Sequence, residues 1–167
     1  MANARMDRLR RLGILIPVFS LRRDKDLGIG DTRALLEMIK WAAANKVGFL
    51  QLLPINETGA DNSPYNAISS VALDPLLIDL EAIPEIEASD IKSIAKELGI
   101  DSNTENLVDY ETVRTAKWGL LAKGFDAFWA TELVNTEFDA FCIEEAEWLV
   151  PYCKFRWLME ISGTEEW

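Results

Sequence analysis

Two short apolar runs, Gly13–Phe19 and Phe49–Leu53, flank a segment of helical period, and that order constrains the fold more than any other feature of the chain. Gly13-Ile14-Leu15-Ile16-Pro17-Val18-Phe19 is nearly continuous in apolar residues, which suits a strand buried on both faces, with Pro17 removing one ladder donor. Between the runs, Leu35, Leu36, Met38, Ile39, Trp41 and Ala42 recur at helical spacing behind a cap at Asp31 or Thr32, and Asn45 and Gly48 supply a stop. Strand, helix, strand within about 40 residues is the βαβ pattern, which demands a parallel pair joined by a crossover. The fold class expected is therefore α/β.

After residue 80 the pattern changes and nearly everything is helical. Ser89 is placed to cap a helix over Ile91–Leu98 with Gly99 as its stop, followed by helices over about Tyr110–Thr131, Glu137–Glu144 and Glu147–Ile161. Pro151 falls in the first turns of the last of these, where a missing N–H costs least. Leu76-Leu77-Ile78-Asp79-Leu80 reads as a further short strand outside the main sheet. Eight aromatic residues at helical spacing, Trp118, Phe125, Phe128, Trp129, Phe141, Trp148, Phe155 and Trp157, read as helix-packing core.

Composition narrows the chemistry. The chain has no histidine, so no imidazole-based nucleophile system and no His-ligated zinc can be built from these residues. With 28 acidic against 17 basic residues the formal charge is −11, which opposes nucleic-acid binding. The one basic cluster, Arg5–Arg11 with Arg22, Arg23 and Lys25, is diluted by Asp7, Asp24 and Asp26. No run approaches a membrane span and the N-terminus lacks the apolar core of a signal peptide, so a cytoplasmic protein is expected. Cys142 and Cys153 form no C-x-x-C motif and are expected as reduced, mostly buried thiols.

The small motifs differ in weight. Gly28-Ile29-Gly30 fails the dinucleotide fingerprint, because its third glycine would fall at Arg33; the pair reads as loop glycines that turn the chain into the helix. Asn56-Glu57-Thr58 is a chance glycosylation sequon in a cytoplasmic chain. Asn56–Pro75 is rich in turn residues and follows the carboxyl end of the second strand, where α/β sheets and barrels place ligand sites. Within it, Ser63-Pro64-Tyr65-Asn66 fits equally a plain β-turn and a ligand-contacting loop in which Tyr65 offers a ring face and a hydroxyl.

Five segments, taken in order, resemble one family. These are Arg11–Leu21, Leu27-Gly28-Ile29-Gly30-Asp31, Leu50-Gln51-Leu52-Leu53-Pro54-Ile55-Asn56, Ser63-Pro64-Tyr65, and Ser70–Leu80. Together they are similar to the N-terminal part of the 4-α-glucanotransferases known as amylomaltases or disproportionating enzymes, glycoside hydrolase family 77. Phe138–Arg156 is similar to that family's F-x-x-F…W-L segment. Departures are Phe49-Leu50 in place of an aromatic-Trp pair, Asp74 where Asn is common, and Ala60 where some members carry an aromatic residue for a secondary glucan site.

The resemblance implies the first two strands of a (β/α)8 TIM barrel followed by a mostly helical inserted subdomain, with the barrel incomplete in this chain. Residues 1–55 would form the βαβ part, 56–88 a substrate-side loop and short strand, and 89–167 the inserted helices. It implies transfer of α-1,4-glucan segments between malto-oligosaccharides, with two close carboxyl groups in a retaining double displacement. No cofactor and no metal are expected, and neither nucleic acid nor a membrane is an expected partner. Ser63 and Tyr65 match the S-P-Y loop and are the substrate-binding residues carried over. The catalytic acids of the family lie on later strands, so the chain alone is expected to be inactive and prone to aggregate. A stand-alone maltodextrin-binding or protein-interaction module without chemistry is the competing expectation.

Overall fold

The computed structural model describes residues 12–101, 107–131 and 136–163. Strands β1 (Gly13–Ile16) and β2 (Phe49–Leu52) pair in parallel with Gly13 opposite Phe49 and Ile16 opposite Leu52. Helix α1 (Thr32–Ala44) makes the crossover. Asp31 is its cap, accepting from the Ala34 amide at 2.9 Å, and Asn45 closes it by donating its side-chain amide to the Trp41 carbonyl. The βαβ reading is borne out. The strands are half-buried rather than buried on both faces, with Leu15 59% exposed, because among the described residues each strand has a single partner and no layer covers the second face.

The glycine pair does what a turn into a helix needs. Gly28 sits at φ +81°, which costs a side-chain-bearing residue about 1 kcal/mol or more, and a Cβ on Gly30 would lie 2.1 Å from the Val18 carbonyl oxygen. That close approach lets the Gly30 amide donate to the Phe19 carbonyl at 2.9 Å, bringing Ile29 down onto Val18.

Residues 76–80 correct the strand expectation. Leu76 and Leu77 fall in a 3₁₀ turn, Pro75–Leu77, and Leu80 opens another, Leu80–Ala82, with only Ile78 and Asp79 extended between them. Asp74 Oδ1 accepts from the Leu76 amide at 2.9 Å and Asp79 Oδ1 from the Glu81 amide at 3.1 Å. Such side-chain caps bend the backbone every fifth residue and displace ladder bonding. The bends aim Leu76, Leu77 and Leu80 inward, where they form the core with Val18, Leu27, Ile29 and Ile86.

Helix α2 (Ala88–Glu97) is capped at Glu87, two residues before the Ser89 cap expected for it, and Gly99 follows it at φ +66°. Helix α3 (Tyr110–Ala130) closes the core with Val113, Ala116 and Leu120. Lys117 lies on that same stripe, 2% exposed, and its Nζ donates to the Ile78 carbonyl at 2.8 Å. Burial draws its pKa down to about 8, against the pull of Asp31 and Asp79.

Helices α4 (Thr136–Glu144) and α5 (Ala146–Ser162) pack on each other and contribute no fully buried residue. Pro151 is interior to α5, in its second turn, so the Glu147 carbonyl lacks a helical donor there. The aromatic residues hold helical spacing, yet Trp118, Phe125, Trp129, Phe141 and Trp157 are exposed rather than core, Trp157 by 61%. Among the described residues no further layer lies over them. Pairs such as Phe128 with Phe138, 5.6 Å between centroids, join α3 to α4 instead. Cys142 is half-buried and Cys153 exposed; both are free thiols, which corrects the expected burial of Cys153.

Candidate functional site

The loop after β2 is a built structure. Its limbs meet in antiparallel bridges between Asn56 and Leu73 and between Thr58 and Ala67. Glu57 ties them twice through the backbone, its amide donating to the Ala72 carbonyl at 3.0 Å and its carbonyl accepting from the Ile68 amide at 2.8 Å. Asp74 Oδ2 accepts from the Thr58 hydroxyl at 3.1 Å.

The tip of the loop carries both residues singled out from the sequence. Ser63–Asn66 is a turn closed by the Asn66 amide on the Ser63 carbonyl at 3.0 Å, with Pro64 at its second position and Tyr65 at its third. Asp61 organises it, accepting from the Ser63 amide at 3.0 Å and from Asn66 Nδ2 at 2.9 Å. Those bonds, that of Asn66 first, hold the Asp61 carboxyl below its usual range. Asn62 adopts φ +54°, a left-handed conformation that asparagine tolerates, and its Oδ1 accepts from Arg114 Nη2 of α3 at 2.7 Å. Ser63 is half-buried and Tyr65 is 76% exposed, so the ring stands in solvent on a turn whose backbone is fixed on both sides.

A second cluster, absent from the sequence reading, lies at the root of this loop. Glu57 is 4% exposed; its Oε2 accepts from the Tyr152 hydroxyl and its Oε1 lies 3.3 Å from Arg156 Nε. Burial pushes the Glu57 carboxyl above its ordinary pKa, against the lowering effect of Tyr152 and Arg156, and burial followed by Glu57 pushes Tyr152 up. The Arg156 guanidinium stacks over Trp118 of α3, 5.4 Å from the ring centroid. Beside the cluster opens a cavity of about 1060 Å³ lined by Ala60, Trp118, Tyr152, Arg156, Trp157 and Met159. Nothing in the sequence pointed to Glu57, one acid among 28 whose partners lie in another segment.

The arginines of the loop after β1 are engaged by carboxylates. Arg22 makes a two-pronged pair with Asp26 at 2.8 Å on each arm, and Arg23 reaches Asp31 at 3.2 Å, Asp79 at 3.6 Å and Glu81 at 3.3 Å. These arginines of the basic cluster are thus held by carboxylates; Arg5–Arg11 lies outside the described residues. Among the described residues no group of three metal-ligating side chains converges, and no helix is long and apolar enough to cross a membrane.

The fold and the loop together define an α/β unit: a parallel pair with a helical crossover, a structured polar loop at the carboxyl end of the second strand, and helices beyond it. The chain belongs to the 4-alpha-glucanotransferase family, whose model matches residues 16–167. It is 37% identical over 147 residues to the 4-alpha-glucanotransferase of Chlamydia pneumoniae, covering 86% of this chain and 28% of that protein. It is 32% identical over 162 residues to a 4-alpha-glucanotransferase of Oryza sativa subsp. japonica, covering 94% of this chain and 17% of that one. Its fold matches the amylomaltase of Streptococcus agalactiae, solved in complex with acarbose, with a TM-score of 0.79 and 26% identity over 94% of this chain and 31% of that one. The amylomaltase of Corynebacterium glutamicum matches with a TM-score of 0.76 at 22% identity, over 94% of this chain and 24% of that one. The chain spans less than a third of each of these relatives.

Proposed function

We propose that this chain is the N-terminal portion of a cytoplasmic 4-α-glucanotransferase, contributing the first two strands of a (β/α)8 barrel, the substrate-side loop and part of a helical insertion. The family match over residues 16–167 carries the reading. Ser63 and Tyr65 are assigned to sugar contact, the ring packing on a sugar face and the hydroxyls bonding to sugar OH groups. The placement of both on one braced turn after a parallel strand supports that assignment.

The chemistry is a retaining double displacement, and it needs two carboxyl groups about 5 to 5.5 Å apart, free to act as nucleophile and as acid/base. The buried carboxylates among the described residues are otherwise occupied. Asp26 holds Arg22, Asp31 caps α1, Asp74 and Asp79 cap 3₁₀ turns, and Glu57 is bound by Tyr152 and Arg156. The family resemblance assigns the catalytic pair to later strands of the barrel, and the engagement of these buried carboxylates agrees with it; the chain by itself is expected to bind glucan without cleaving it.

Two measurements test this. The purified 167-residue chain should release no sugar from maltotriose, and release would overturn the division of labour. Maltoheptaose should bind the wild type about tenfold more tightly than Tyr65→Ala, the loss expected for one aromatic platform worth about 1.5 kcal/mol. Equal binding by both would remove the turn from the site.

A further inference from the structure

We propose that Tyr152 and Arg156 are positioning residues that hold the substrate-side loop through Glu57, so that helix α5 sets how well the Ser63–Tyr65 turn receives a glucan. The inference rests on the reading of that turn as a sugar site. Its structural part stands on three observations.

First, Glu57 is where the loop is fastened. Its amide and carbonyl bind the two limbs of the loop to each other, while its carboxylate crosses to a residue 95 positions further along the chain. Second, both groups that receive the carboxylate come from one face of one helix, since Tyr152 and Arg156 are four residues apart in α5. A buried carboxylate is tolerated only where such donors satisfy it, so the loop adopts this path only with α5 in place. Third, α5 has no fully buried residue to anchor it by apolar packing. The polar contact to Glu57, backed by Arg156 over Trp118, is a tie between α5 and the loop that apolar burial does not supply.

The tip of the loop is held separately, by Arg114 of α3 on Asn62. Tyr65 stands on a span fixed at its root by α5 and near its tip by α3. Releasing the root frees the turn to sample orientations in which ring and hydroxyls no longer converge on one sugar, and binding weakens without loss of any sugar-contacting atom. The helical segment accordingly acts on affinity from outside the site.

The test uses Tyr152→Phe, which keeps the ring and removes the donor, with Arg156→Lys as a second variant that keeps the charge and the helix. Amide hydrogen exchange and maltoheptaose titration are measured on each, and far-UV circular dichroism checks folding. In Tyr152→Phe the amides of Glu57 and Ile68 should exchange about tenfold faster while those of Ala116 and Leu120 in α3 stay unchanged, and the maltoheptaose Kd should rise about tenfold, as for loss of one charge-assisted hydrogen bond. Arg156→Lys should move both readouts in the same direction by a smaller factor. In a Tyr65→Ala background, Tyr152→Phe should raise the maltoheptaose Kd by a smaller factor than in the wild type, and an undiminished factor overturns an effect through the turn. Unchanged exchange at Glu57 and Ile68 in both variants overturns the clamp whatever the sugar does. Faster exchange with an unchanged Kd overturns its role in positioning. Failure of the wild type to bind maltoheptaose refutes the sugar reading of the turn, while the exchange data still decide whether α5 holds the loop.

Discussion

Lys117 offers the sharpest test of the packing described here. Its ammonium is enclosed beneath α3, bonded to the Ile78 carbonyl and facing Asp31, Asp79, Asp26 and Arg23. Burial moves its pKa from 10.5 to about 8. Because the folded value lies below the unfolded one, the unfolded chain binds more protons between about pH 8 and 10.5. Folding stability therefore rises with pH through that window, and below it this group contributes no pH dependence. At ~1.4 kcal/mol per pH unit the full effect is about 3 kcal/mol, of which about 2.5 kcal/mol is reached by pH 10. Lys117→Met keeps the length and apolar stem and cannot titrate. Tyrosines and the other lysines titrate in both proteins, so the difference between them isolates Lys117. Urea unfolding followed by tryptophan fluorescence, at protein concentrations where light scattering stays at baseline, should show the wild-type midpoint gaining on the variant by on the order of 1 M between pH 7 and 10. Midpoints that move in parallel over that range would refute the burial of a charged Lys117.

Two further outcomes are expected. Gly30→Ala places a methyl against the Val18 and Leu21 carbonyls, at 2.1 and 2.6 Å, and should cost about 3 kcal/mol, lowering Tm by roughly 6 to 12 °C; a Tm within 2 °C of wild type, on the order of 1 kcal/mol or less, would refute the close approach. The 167-residue chain alone should self-associate, because Leu36, Ile39 and Trp41 on α1 are exposed and, among the described residues, both strands have a free edge; a chain that remains monomeric by light scattering across a hundredfold concentration range would contradict this.

Much of the architecture was legible because its signals are local. The apolar runs, the Asp31 cap and the periodicity of α3 each lie within a few residues of the structure they specify, and the five motifs carried the family. Residues 76–80 misled because an apolar run does not reveal that Asp74 and Asp79 will bond to amides two residues ahead. The aromatic spacing identified helices correctly and said nothing of what would cover them. Lys117 was available to closer reading, since it falls on the Val113, Ala116, Leu120, Gly124 stripe. The bond of Glu57 to Tyr152 was not, because 95 residues separate partners whose types occur throughout the chain.

The acids gathered around Arg23 have a history set by the direction of synthesis. Arg23, Asp31, Asp79 and Glu81 all leave the ribosome before Lys117, whose bond to Ile78 spans 39 residues. At ~5–20 residues per second that interval lasts roughly 2 to 8 s. During it Asp31, Asp79 and Glu81 have only the guanidinium groups of Arg23 and Arg33, and the buried ammonium has yet to be made. The pairs that join the loop after β1 to the 3₁₀ turn Leu80–Ala82 need no residue of α3, and Val113, Ala116 and Leu120 of α3 then complete the core.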